Sequence, residues 1–228
     1  MSSEYLSDRE QEEALRNWWK ENWGWVAGGI AIGFLLLGAW NYWQRREESQ
    51  KAEASQAFRE LTLALAANNK EKVEAITKNL DENFSGSPYA DQAHLLLAQS
   101  HVNGDRFELA ATELQHVVDK SKDTALVQIA KLRLARVQIQ LGHYDEALAL
   151  LDVSKAGAFG AQVNEVRGDA LLAKGDANGA REAYQAALAA SQTNGARSSD
   201  NDFLQLKLQD LAAASPEPQT PASPTSEK

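Results

Sequence analysis

Cysteine is absent from the 228-residue chain, so no disulfide, thiolate metal site, thiol nucleophile or acylated lipoprotein anchor can be built from it. That absence does not choose a compartment, because a cysteine-free domain folds in reducing and oxidising surroundings alike. Proline is scarce as well. Four of its five copies lie in the last stretch, Ser215–Lys228, and the fifth is Pro88. A tail of that composition cannot bury enough apolar surface to order itself, so residues 215–228 are expected to be disordered. Basic charge is outnumbered: from Gln44 onward 20 Lys and Arg face 26 Asp and Glu. Such a domain lacks the cationic footprint that phosphate contacts need, which argues against nucleic acid as a partner. Tryptophan is missing after residue 43, for all six copies fall between Trp18 and Trp43. A soluble core would spread them; a membrane–water interface collects them, because indole is apolar in body and polar at its N–H.

No charge occurs between Glu21 and Arg45, and from Trp23 to Trp40 every side chain is apolar, aromatic or glycine. About 20 such residues in a helix span the hydrocarbon layer. Trp23 and Trp25 mark one interface; Trp40, Tyr42 and Trp43 mark the other. The run is too long for a signal-peptide core. It also ends in aromatics where cleavage needs small residues, so an uncleaved signal anchor over 23–43 is expected. Flanking charge is nearly balanced, with Arg9, Arg16 and Lys20 before the span and Arg45, Arg46, Lys51 and Arg59 after it. The balance leans slightly towards a cytoplasmic C-terminus and leaves orientation open. Gly24/Gly28 and Gly29/Gly33 form two small-xxx-small pairs that would let another membrane helix approach. Asp8–Asn22 reads as a helix extending the span along the headgroups.

After the span the pattern is all-α. Gln44–Asn68 is rich in Ala, Glu and Leu without Gly or Pro and predicts a long helix. Lys70–Phe84 pairs with it through Val73, Ile76 and Leu80. Ser87 is a candidate helix cap, with Pro88 at the first helical position. Three similar units follow. Their small residues Ala98, Ala135 and Gly168 sit 37 and 33 residues apart, close to the tetratricopeptide period of about 34. In each unit a glycine (Gly104, Gly142, Gly175) stands where the chain reverses. A small residue on the second helix (Ala110, Ala147, Ala180) packs into the crossing, and Leu114, Leu151 or Tyr184 fills the next gap. One such pair cannot bury its apolar face alone, so pairs stack into an α-solenoid. Asp200–Ala214, with Phe203, Leu204, Leu208 and Leu211 at helical spacing, predicts a terminal capping helix.

Chemistry-bearing motifs are missing. There is no phosphate-binding loop, dinucleotide fingerprint, nucleophile elbow or HExxH, so neither a catalytic site nor a cofactor is expected. His94 and His101 share a spacing of seven without an evident third ligand, so no metal site is expected either. The first helices of tetratricopeptide pairs line a groove, and the register proposes Gln99, Asn103, Arg136, Gln140, Glu165 and Asp169 as its polar residues. That set mixes amide, cation and anion. It lacks the clustered Lys, Arg and Asn of a clamp for C-terminal carboxylates, so a broader protein-binding surface is expected.

Several stretches together resemble the YfgM family: E-E-A-L-R-N-W-W-K-E-N before the span, the glycine-rich span, G-A-W-N-Y-W after it, L-R-L-A-R-V-Q (Leu132–Gln138) and R-G-D-A-L-L-A-K-G-D (Arg167–Asp176). The resemblance runs over roughly residues 8–212 and leaves out the proline-rich tail. It implies an ancillary subunit of the SecYEG translocon in the inner membrane of a Gram-negative bacterium. Residues 1–22 would be cytoplasmic and the tetratricopeptide-like domain, residues 44–214, periplasmic. It also implies association with the membrane-anchored periplasmic chaperone PpiD and a role in passing translocated polypeptides to periplasmic chaperones. A link to envelope stress signalling is implied too. A scaffold for another cell-envelope assembly is the alternative reading.

Overall fold

The computed structural model describes residues 8–193 and 198–214, and among these there is no β-strand. The expected disorder of residues 215–228 lies outside the described residues. Nine α-helices are described: α1 (Asp8–Ala66), α2 (Lys70–Phe84), α3 (Pro88–Asn103), α4 (Phe107–Lys120), α5 (Thr124–Leu141), α6 (Tyr144–Leu150), α7 (Gly160–Lys174), α8 (Ala177–Thr193) and α9 (Ser198–Ala214). Contacts divide the chain into two units, Met1–Glu53 and Ala54–Lys228.

In the first unit the described residues belong to a single helix. The three segments that composition separates, namely headgroup extension, span and first soluble helix, run as one α1. No proline interrupts the sequence before Pro88, so no backbone donor is lost along the way. Large apolar side chains from Leu15 to Trp43 stay exposed, Trp25 at 82% and Leu35 at 73%. Among the described helices, α1 carries the one stretch long and apolar enough to cross a membrane.

The second unit buries what the first exposes. The C-terminal part of α1 places Ala54, Leu61 and Ala64 against Ile76 and Leu80 of α2 and Ala90 and Ala93 of α3. Next, α3, α4 and α5 enclose Leu95, Ala98, Ala110, Leu114, Val117, Ala130, Leu134 and Val137. Helix α5 serves two cores, because its Leu132 and Ala135 turn the other way, onto Ala147 of α6 and Val163, Val166 and Ala170 of α7. The last core joins Ala180, Tyr184 and Ala187 of α8 to Leu204 and Leu211 of α9. The register holds throughout: Ala98, Ala135 and Gly168 are buried at the crossings, as are Ala110, Ala147 and Ala180. At Gly168 the approach is closest, for an added Cβ would lie 2.4 Å from the Tyr184 ring.

Caps explain several boundaries. The Ser87 hydroxyl accepts from Tyr89 N–H at 3.3 Å with Pro88 opening α3, and Asp123 accepts from Ala125 and Leu126 N–H at the start of α5. Gly142 and Gly175 take left-handed φ of 81° and 96° and end α5 and α7. Gly104 stands at its turn as expected, but with a different conformation. Its φ is −105°, and the left-handed residue of its turn is Asp105 at 55°. Helix α6 also stops early, at Leu150, and the chain continues through two 3-10 turns, Val153–Lys155 and Gly157–Phe159. Asp152 caps the first of them through Ser154 N–H.

Candidate functional site

The two faces of α3 border two hollows. The first lies between α3 and α5, the first helices of successive pairs, with α4 contributing at its base. It encloses about 420 Å³. Leu95, Ala98, Val102, Phe107, Leu114 and Val137 make its lining apolar, and Gln99, Arg133, Arg136 and Gln140 are its polar residues. Those four are exposed, and neither Arg133 nor Arg136 has a carboxylate partner among the described residues. The arrangement suits an apolar side chain flanked by an acceptor or an anion, since a guanidinium pairs most favourably with a planar carboxylate.

Of the six polar groove residues read from the sequence, Gln99, Arg136 and Gln140 line this hollow together. Asn103 is exposed at the end of α3, outside the lining. Glu165 and Asp169 are engaged by the capping helix instead. The Lys207 ammonium of α9 lies 3.0 Å from Glu165 and 2.7 Å from Asp169, and the Tyr184 hydroxyl donates to Asp169 at 2.7 Å. The charged residues that line the first hollow, Arg133 and Arg136, are both cationic. Sequence reasoning missed Arg133 and the apolar lining. Arg133 is one helical turn before Arg136 on α5, and that spacing was the available signal.

The second hollow, about 800 Å³, lies between α2, α3 and α4 and includes Asp81, His94, His101, Arg106 and Glu113. His94 is 5% exposed. Its Nδ1 is 2.6 Å from Glu113 Oε2 and its Nε2 is 2.9 Å from Asp81 Oδ1. Burial disfavours the charged ring, but its hydrogen bonds to Glu113 and Asp81 outweigh that and hold the pKa of His94 above the ordinary histidine value. His116 stacks on His94 with ring centroids 3.8 Å apart. Burial first, then the neighbouring His94, pushes the pKa of His116 down. The Nδ1 atoms of His101 and His116 are buried without a hydrogen-bond partner among the described residues. The sequence suggested His94 beside His101; the fold brings His116 and Asp81 to His94, because α2 and α4 flank α3.

In the first unit, Gly24, Gly28, Gly29 and Gly33 have nothing among the described residues within 4 Å of where a Cβ would stand.

Stacked helix pairs, a terminal capping helix and an open hollow between first helices define a tetratricopeptide-like binding protein, and the tetratricopeptide repeat-like domain family matches residues 16–213. The chain is 33% identical over 208 residues to the ancillary SecYEG translocon subunit of Escherichia coli (strain K12), covering 91% of this chain and 98% of that one. The ancillary SecYEG translocon subunit of Aggregatibacter actinomycetemcomitans is also 33% identical, over 91% of this chain and 99% of its own. That of Neisseria gonorrhoeae (strain ATCC 700825 / FA 1090) is 26% identical, over 91% and 98%. The chain therefore belongs to the family of ancillary SecYEG translocon subunits, a family named for a place in an assembly and not for a reaction. Membership and the apolar stretch of α1 together make it a membrane-anchored repeat protein.

Proposed function

We propose that this chain is a translocon-associated adaptor, anchored by a span over residues 23–43, with residues 1–22 cytoplasmic and the repeat domain, residues 44–214, periplasmic. There the hollow between α3 and α5 engages segments of polypeptides leaving SecYEG and passes them to periplasmic chaperones, the membrane-anchored PpiD among them. The observation that carries this reading is the hollow itself. An apolar lining beside two guanidiniums that have no carboxylate partner among the described residues is a surface awaiting a peptide with apolar and acidic character. Its support comes from relatives whose names place them in the translocon. The nearly balanced charge around the span does not oppose a periplasmic domain, since long domains translocate largely regardless of flanking charge.

A photo-crosslinking residue at Gln140, activated in intact membranes during secretion, is expected to yield adducts with translocon subunits, PpiD and secretory polypeptides. Adducts from an exposed position on α8, such as Gln185, with none from Gln140 would overturn the groove assignment. Orientation is tested with a single cysteine at exposed Lys122 and an impermeant maleimide in spheroplasts. Labelling only after lysis would place the repeats in the cytoplasm. Neighbouring Ser121 is a poor site for that cysteine, because its hydroxyl donates to Asp91 Oδ2 at 2.6 Å and accepts from Asp123 N–H at 3.1 Å.

A further inference from the structure

Asp81, His94 and His116 each offer a ligand atom within 4.8 Å of the others, and they come from three different helices, α2, α3 and α4. We propose that this cluster binds one divalent zinc-class cation, with His94 Nε2, Asp81 and His116 as ligands and Glu113 orienting the His94 ring.

Four observations converge on it. An ionised carboxylate only accepts, so the 2.6 Å contact to Glu113 puts a proton on Nδ1 of His94. By the same rule the 2.9 Å contact to Asp81 puts a proton on Nε2 when no metal is bound. A bound cation would take that proton's place, with the Nε2 lone pair and the Asp81 carboxylate turned to the same ion. A carboxylate behind a ligating histidine is also the usual device for fixing tautomer and ring orientation at a metal. Third, His116 stacks on His94 and has a buried nitrogen that no group among the described residues satisfies. Fourth, the 800 Å³ hollow that includes Asp81, His94 and Glu113 is a path for the ion and for a water ligand.

The donor set selects the metal. Two imidazoles and one carboxylate suit zinc and its neighbours, whereas magnesium and calcium favour oxygen donors throughout. Tetrahedral zinc holds adjacent ligand atoms about 3.3 Å apart, so Nε2 and Asp81 would separate slightly while His116 closes in. A bound ion would tie α2 to α3 and α4, the junction between the first helix pair and the rest of the stack.

The test uses the full-length chain in detergent, stripped of metal. Zinc chloride added during calorimetric titration is expected to bind at one ion per chain and to raise the thermal midpoint; magnesium chloride is expected to do neither. Cobalt(II) in the same site is expected to show the intense visible bands of a four-coordinate ion. The deciding variant is His116→Phe. It keeps the stacked ring and gives up no protein hydrogen bond, so the metal-free midpoint should stay near that of the parent chain. Zinc affinity should fall at least about 100-fold, the upper end of what loss of an outer-shell partner alone produces. Equal zinc binding by the parent and His116→Phe would overturn the proposal. So would a parent chain whose midpoint zinc leaves unchanged, which would mean that a proton alone sits between His94 and Asp81.

Discussion

In the first unit Trp25 and Leu35 are 82% and 73% exposed, while in the second Leu114 is 1% exposed and sits among the side chains of three helices. Both units are helical and both are rich in apolar residues. They differ in where those residues point. Apolar side chains all round a single helix leave it with no partner in the chain, so the helix needs a non-aqueous surrounding. Apolar side chains concentrated at helix crossings, with Ala or Gly at each closest approach, provide that surrounding from within the chain.

The comparison is broken most severely by removing one side of it. A chain shortened to begin at Glu47 retains Ala54, Leu61 and the rest of the first core. It is expected to fold with an unchanged circular dichroism spectrum, to leave the membrane fraction entirely and to lose most translocon association, because tethering adds avidity of about 10²–10⁴ without new contacts. If the shortened chain co-purifies with the translocon as well as the full chain does, the hollow alone carries the interaction.

The same substitution in each unit sharpens the contrast. Leu114→Ala opens a cavity between α3, α4 and α5 and should cost about 2–5 kcal/mol in chemical denaturation. Leu35→Ala should leave the denaturation of the repeat unit unchanged, since its side chain touches no core.

Glycine gives a smaller, more local version. Gly168→Ala drives a methyl group into the Tyr184 ring and should cost about 1–3 kcal/mol. Gly29→Ala meets nothing among the described residues and should leave the thermal midpoint alone, so any weakening of membrane crosslinks would report a second helix on that face.

The smallest expected effect is at the capping helix. Lys207→Met removes both ion pairs and the ammonium that lies over the Phe203 and Tyr184 rings, and keeps an apolar side chain of similar length. Glu165 and Asp169 remain partly open to water, which screens the loss to about 1 kcal/mol or less. Faster amide exchange confined to α9 is the signature to measure.

Several features were readable because they are local. A serine before Pro88 starts a helix by its own hydrogen bond, and the glycines at 142 and 175 end helices by a φ other residues avoid. The turn after α3 falls at Gly104, where the spacing put it, but Asp105, and not Gly104, adopts the left-handed conformation, which an aspartate tolerates better than most side chains. Phe203 shares the helical spacing of Leu204 and Leu208 yet stays exposed, with the Lys207 ammonium 4.8 Å from its ring. Of the groove, the sequence register carried Gln99, Arg136 and Gln140. It could not carry the engagement of Glu165 and Asp169, because their partner lies about 40 residues further on, in a helix whose docking angle no periodicity encodes.

By itself the sequence determined what helical spacing and residue size can determine: an apolar helix with aromatic ends, helix pairs at a repeat near 34 residues, small residues at the crossings and a terminal cap. Only the tertiary structure decided which polar groups meet. It put Arg133 and Arg136 beside an apolar hollow with no carboxylate partner among the described residues, gave Glu165 and Asp169 to Lys207, and set His116 and Asp81 against His94. The physical reason is that burial follows from spacing along one helix. A polar contact between helices depends on their crossing angle and axial offset, and those emerge only when all the cores pack at once.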